Sequence, residues 1–156
     1  MTIAVGDGLP DVALTMMDGS TQSLASRKGR ALILYFYPKD DTPGCTKEAQ
    51  GFSERADDFA EIGVDILGVS KESPAKHAKF VDKYALKIDL ATDNGSALEA
   101  FGSWIEKSLY GKKYMGIDRS TFLFDADGKL VREWRKVRVP GHVDAVFEAA
   151  QALSRD

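Results

Sequence analysis

Two apolar runs of strand length, ALILYFY at Ala31–Tyr37 and VDILGVS at Val64–Ser70, constrain this chain more than anything else in it. Neither alternates apolar with polar residues, so neither suits a sheet with one wet face. Each reads as a strand covered on both sides. Between them Ala49, Phe52, Ala56, Phe59 and Ala60 recur at spacings of three and four, which predicts a helix with one apolar face from Cys45 to Ile62. Gly63 supplies a stop. A strand, a helix and a second buried strand imply parallel pairing through a right-handed crossover.

The rest of the chain extends that unit. Ser73 and Pro74 read as N-cap and first residue of a helix, with Ala78, Val81 and Ala85 as its inward face. A short strand at Ile88–Thr92 and a short helix at Ser96–Phe101 follow. Asp18-Gly19 joins Val12–Met16 to Thr21–Leu24, and Asp127-Gly128 joins Thr121–Asp125 to Lys129–Trp134; both pairs read as hairpins. A last helix offers Val143, Val146, Phe147, Ala150 and Leu153 to a core. Gly102–Gly116 shows no clear periodicity. The pattern predicts an α/β fold: a central mixed β-sheet flanked by helices, with an N-terminal β-hairpin, as a single domain over residues 1–156.

The chain has one cysteine in 156 residues. That rules out an intrachain disulfide, a CxxC redox pair and a Cys-rich zinc site, and it suits a reducing compartment. The formal net charge is −3, and the densest basic stretch, Arg132–Arg138, is interrupted by Glu133, Trp134 and Val137. No nucleic-acid footprint is expected. MTIAVGDGLP lacks the basic and apolar regions of a signal peptide, and no apolar run approaches the ~20 residues of a membrane span. The expected location is the cytoplasm, with no membrane partner.

The chemistry concentrates in Pro38–Glu48, where a buried strand ends and a helix begins. Ligands bind at such places in open α/β sheets. Cys45 falls in the first helical turn, where unsatisfied N–H groups and the helix dipole favour a thiolate. Ionisation alone does little: converting an ordinary thiol fully to thiolate at pH 7 gains roughly thirtyfold, or ~2 kcal/mol, against the ~8 kcal/mol or more that enzymes supply. A fast nucleophile at Cys45 needs further donors around it.

Pro38, Thr42 and Cys45 form P-x-x-x-T-x-x-C, and the longer strings ALILYFYPKDDTPGCTKEAQGF and GIDRSTFLFDADGKL resemble the peroxiredoxins, closest to the bacterioferritin-comigratory or Q-type group. The resemblance runs from Gly6 to the end. It implies a thioredoxin-like fold and a thiol-dependent peroxidase that reduces hydrogen peroxide and organic hydroperoxides, with no cofactor and no metal. Cys45 would be the peroxidatic cysteine, oxidised to sulfenic acid. Thr42 and Arg119 would contact the peroxide, and the Gly44 and Cys45 N–H groups would hold its second oxygen. Glu48 would orient Arg119, while Pro38 and Pro43 would shape and shield the pocket.

Many members of that group carry a resolving cysteine five residues after the first. Gln50 stands there, so the sulfenic acid must be reduced by an external thiol: glutathione or another small thiol, glutaredoxin or thioredoxin. With no internal partner to reach, the Cys45 helix is expected to stay folded on oxidation. The resemblance implies a monomer, with a weak homodimer second. Two rival functions are a peroxide sensor or redox relay without sustained turnover, and a cysteine hydrolase with His77 or His142 as base. On its own pattern His77, among lysines, reads as solvated, and His142 as a local cap.

Overall fold

The computed structural model describes residues 2–154. Among the described residues nine strands form: β1 (Ala13–Met16), β2 (Thr21–Ser23), β3 (Ala31–Phe36), β4 (Val64–Ser70), β5 (Asp89–Thr92), β6 (Trp104–Leu109), β7 (Lys112–Ile117), β8 (Ser120–Phe124) and β9 (Leu130–Trp134). The helices are α1 (Pro43–Glu54), α2 (Ala56–Glu61), α3 (Pro74–Tyr84), α4 (Ser96–Phe101) and α5 (His142–Ser154).

Seven strands make one sheet in the order β2-β1-β5-β4-β3-β8-β9. The two apolar runs pair in parallel at its centre, Ala31 facing Val64 through Phe36 facing Val69, and β5 continues in parallel beside β4. Antiparallel β8 and β9 close one side. The N-terminal hairpin extends the other, with Thr15 facing Thr92.

The period of two in β3 divides its side chains between two cores. Ile33, Tyr35 and Tyr37 pack with Cys45, Ala49, Phe52, Phe59, Phe80 and the α5 residues Val143, Val146, Phe147 and Ala150. Leu32, Leu34 and Phe36 pack on the opposite face with Ala97, Leu98, Phe101, Phe122 and Phe124. Ten apolar side chains of the two runs, Leu32 to Tyr37 together with Val64, Ile66, Leu67 and Val69, are buried, which explains why the runs carry no polar alternation: both faces are dry. No helix among the described residues is long and apolar enough to cross a membrane.

Three expectations change. The predicted Cys45–Ile62 helix starts at Pro43 and is two helices broken at Arg55 (φ −103°, ψ 9°). Arg55 turns out to pair with Asp144 at 2.7 Å and to lie 4.0 Å over the Phe147 ring, while Ala60 is exposed. On α3 the inward residues are His77 and Phe80, with Val81 half-buried; Ala78 is exposed and Ala85 is the left-handed C-cap (φ 50°). Gly102–Gly116 contains a separate two-stranded ribbon, β6–β7, turning at Tyr110 and Gly111, both at positive φ (51° and 78°). A two-residue turn of that hand matches the twist of a hairpin. Most of the ribbon is exposed, so its sequence carries no apolar alternation to read.

Candidate active site

β3 delivers the chain to a loop that ends at Thr42, the extended N-cap of α1 (φ −99°, ψ 154°). Pro43 takes the first helical position, where the lack of an N–H costs nothing. The Thr42 carbonyl accepts from Thr46 N–H at 2.8 Å. Its side chain does not cap the helix: the hydroxyl donates to the Lys39 carbonyl at 2.9 Å. The Thr42 proton is therefore committed within the loop, while the oxygen retains capacity to accept.

Cys45 sits in the first turn of α1 and is 2% exposed. Arg119 arrives from the other side of β3. Because Phe36 faces Ser120 across the antiparallel β3–β8 pair, the residue before β8 lies beside the end of β3. Arg119 Nη2 donates to Cys45 Sγ at 3.3 Å, and Nη1 to Glu48 Oε1 at 2.7 Å. Glu48 follows Cys45 by three residues, so both occupy one face of α1. One guanidinium fork thus spans sulfur and carboxylate, a geometry lysine cannot reproduce. A Cβ on Gly44 would stand 3.3 Å from Arg119 Nη2. Glycine lets the guanidinium lie close against the helix start.

Glu48 is fully buried. Burial pushes its carboxyl up to about 7, against the opposing charge and hydrogen bond of Arg119. Burial pulls Arg119 down, but the charges of Glu48 and Cys45 outweigh it and hold the guanidinium above its ordinary value. Glu48 Oε2 and the Tyr35 hydroxyl are buried without a hydrogen-bond partner among the described residues. Burial, then the charges of Glu48 and Cys45, keep the Tyr35 phenol well above its usual range, so it stays neutral. Its ring stacks on Phe52 at 4.7 Å, an apolar wall behind the thiol.

Pro38 and Pro43 are exposed at the two ends of the loop, and Gln50 is half-buried on α1, lining an open cavity of about 340 Å³ with Ser53, Glu54 and Tyr84–Lys87. The histidines depart from their sequence reading. His77 is not solvated but 0% exposed, bonded through Nδ1 to Asp40 at 2.7 Å and through Nε2 to the Ala91 carbonyl at 3.0 Å. His142 is more than a cap: it is buried, with Nε2 2.8 Å from Thr121 Oγ1 and its ring edge-on to Phe52 and Trp134. Burial and the charge of Arg119 lower it to about 4, so it is neutral at pH 7. Both imidazoles are engaged away from Cys45, whose sulfur has Arg119 as its hydrogen-bond donor. Neither histidine is bonded to the thiol where a cysteine hydrolase would place its base.

Sequence reasoning missed the roles of Tyr35, Asp40 and His77. Tyr35 precedes the motif and Asp40 fills one of its variable positions, so neither stood out; His77 meets Asp40 across 37 residues.

A profile of the AhpC/TSA family matches residues 5–133. Peroxiredoxin Bcp of Bacillus subtilis is 46% identical over 155 residues, 99% of each chain. Peroxiredoxin Bcp of Escherichia coli K12 is 39% identical over 146 residues, 93% of this chain and 94% of that one. The bacterioferritin comigratory protein of Xanthomonas campestris, whose structures were described for alkyl peroxide reduction activity, superposes with a TM-score of 0.88 at 40% identity, covering 95% of this chain and 99% of that one. Peroxidoxin BcpB of Mycobacterium tuberculosis gives 0.83 at 30% identity, covering 97% and 98%.

Proposed function

The chain belongs to the AhpC/TSA family, in its Bcp or Q-type peroxiredoxin group, and from that premise we propose that Cys45 is the peroxidatic cysteine of a one-cysteine cycle completed by an external thiol. The protein is a thiol-dependent peroxidase of thioredoxin-like fold, with a peroxide as substrate and a thiol as reductant. The observation that carries the finer reading is the Arg119 fork shared by Cys45 Sγ and Glu48.

In the first half of the cycle the Cys45 thiolate attacks one peroxide oxygen. The S–O bond forms as the O–O bond breaks, and the departing oxygen takes a proton from solvent, replacing the one the thiol released on ionising, to leave as water or alcohol with sulfenic acid on Cys45. Negative charge passes from the sulfur to the departing oxygen, so fixed donors placed to meet that oxygen lower the barrier. Arg119 supplies one such donor beside the sulfur. The first N–H groups of α1, at Gly44 and Cys45, have no intrahelical acceptor and supply others. Thr42, whose hydroxyl donates to the Lys39 carbonyl, can accept a hydrogen bond from the hydroperoxide O–H and so orient the substrate. Glu48 holds Arg119 in register. Pro38 and Pro43 bracket the loop at its exposed ends.

In the second half an external thiol attacks the sulfenic sulfur, expelling water and forming a mixed disulfide; a second thiol then releases Cys45. Cys45 is the one cysteine in the chain and Gln50 holds the position where a resolving cysteine would stand, so both reducing equivalents come from outside. Glutathione, glutaredoxin and thioredoxin are the candidate donors, hydrogen peroxide and organic hydroperoxides the substrates. One domain, acting as a monomer or weak homodimer in the cytoplasm, completes the reading. A steady-state peroxide-consumption assay against each donor tests it. Turnover with at least one donor that Cys45→Ser abolishes is expected. Consumption that stops after one equivalent with every donor would instead mark a sensor.

A further inference from the structure

We propose that His77 is a positioning residue for peroxide reduction, acting through Asp40 to fix the loop that carries Thr42. The proposal rests on the reading of Thr42 and Cys45 given above.

The residues form a closed buried network. His77 is 0% exposed and the Asp40 side chain 6%. His77 Nδ1 lies 2.7 Å from Asp40 Oδ2 and 3.1 Å from the Tyr37 hydroxyl; Tyr37 donates to Asp40 Oδ1 at 2.5 Å. Burial keeps the Tyr37 phenol far above its ordinary value, so it remains a donor. The acceptor on the far side of the ring is the Ala91 carbonyl at 3.0 Å, so Nε2 carries a hydrogen. One further proton must then lie between Nδ1 and Oδ2, whichever atom holds it, because two lone pairs cannot face each other at that distance. The pair is electrically balanced as a unit. Removing one member strands the other's polar group away from water, which is strongly unfavourable.

What the network holds is a loop. Asp40 is two residues before Thr42, and the Thr42 hydroxyl folds back on Lys39. Between them Asp41 adopts a positive φ of 59°, a conformation uncommon for a non-glycine residue. Asp41 is itself tied to α3 by Lys83 Nζ at 2.7 Å and Tyr84 Oη at 2.6 Å. Lys83 and Asp41 are solvent-exposed, and exposed ion pairs contribute little. The buried tether that His77 completes with Tyr37 at Asp40 is better placed to hold the loop against its backbone preference. Helix α3, which carries none of the reacting groups, therefore sets where the Thr42 oxygen stands relative to Cys45. A misplacement of about 1 Å in such a group can cost about a hundredfold in rate.

Two reactions of the same thiol test this. Oxidation of Cys45 by hydrogen peroxide needs the oriented substrate; alkylation by iodoacetamide needs only an accessible thiolate. His77→Phe is expected to slow peroxide oxidation by about tenfold or more while alkylation stays within about twofold. His77→Gln, which retains an amide donor toward Asp40, should recover part of the loss. A wild-type oxidation rate in His77→Phe overturns the proposal, and so does a parallel fall in alkylation, which would mark a general structural role. If His77→Phe does not fold, the comparison passes to His77→Gln and Asp40→Asn, and a wild-type peroxide rate in either overturns it. Failure of the site reading looks different: the unaltered protein would then show no Cys45 oxidation by peroxide at all.

Discussion

Arg119 Nη2 lies 3.3 Å from the sulfur of Cys45, and the same guanidinium reaches Glu48 at 2.7 Å through its other nitrogen. The contact is fully buried on the carboxylate side and only slightly exposed on the arginine side, with 0% and 17% side-chain exposure. The carboxylate holds the arginine, and the arginine serves the thiol.

Arg119→Ala should keep the fold, because the side chain lies at a strand end and not in either apolar core, though at some cost in stability as buried Glu48 loses its partner; it should slow Cys45 oxidation at least about tenfold, the loss expected for removing one transition-state donor. Arg119→Lys should restore only part of the rate, because a point charge cannot span both partners. Stopped-flow oxidation of both variants by hydrogen peroxide decides this.

Gly44→Ala places a methyl group 3.3 Å from Arg119 Nη2. Alanine is otherwise a better helix former than glycine, so thermal stability should hold or rise. Peroxide oxidation should fall as the guanidinium is displaced. A rate equal to that of the unaltered protein would mean that the arginine tolerates the shift.

Glu48 and His142 impose opposite pH slopes on stability. Burial raises Glu48 from 4.5 to about 7, so the folded state holds a proton the unfolded chain has released, and stability falls as pH rises through that window. Burial lowers His142 from 6.5 to about 4, so the unfolded chain takes up the proton first, and stability falls as pH drops through that window. Glu48→Gln removes the first slope and leaves the second. Melting temperature should therefore rise more between pH 5 and pH 7 in the variant than in the unaltered protein, as read by calorimetry across that range. The variant should also oxidise more slowly at pH 8, where the full carboxylate anchor is missing.

Oxidation of Cys45 should leave α1 folded, because no internal cysteine draws the sulfur away. Amide exchange over residues 45–50, measured with and without one equivalent of peroxide, should change little. Gln50→Cys supplies the missing partner. That variant should convert its sulfenic acid to an internal disulfide and show increased exchange over the same residues, read by mass spectrometry.

The sheet was legible because its central strands are apolar on both faces, and a run such as ALILYFY admits few other structures. The Pro38–Glu48 segment was legible because its chemistry is local: strand end, loop, proline and cysteine are contiguous. Arg119 was placed through family resemblance, since nothing in residues 117–121 alone marks a partner 74 positions away. His77 misled for a physical reason. Its neighbours Lys76 and Lys79 advertise a wet helix face, while its actual environment is made by Asp40 and the Ala91 carbonyl, which only the folded sheet brings to it. The break at Arg55 escaped notice because the apolar spacing runs through it unbroken, and β6–β7 because neither of its faces is dry.

The register that seats Phe36 opposite Ser120 also sets a timetable. Cys45 leaves the ribosome long before Arg119, and the two meet only once β8 has added to β3. Until that strand docks, the chain carries an unassisted thiol with no arginine beside it. Fast reaction with peroxide is thus a property of the finished sheet, and a nascent or unfolded copy carries only the slow reactivity of an ordinary thiol.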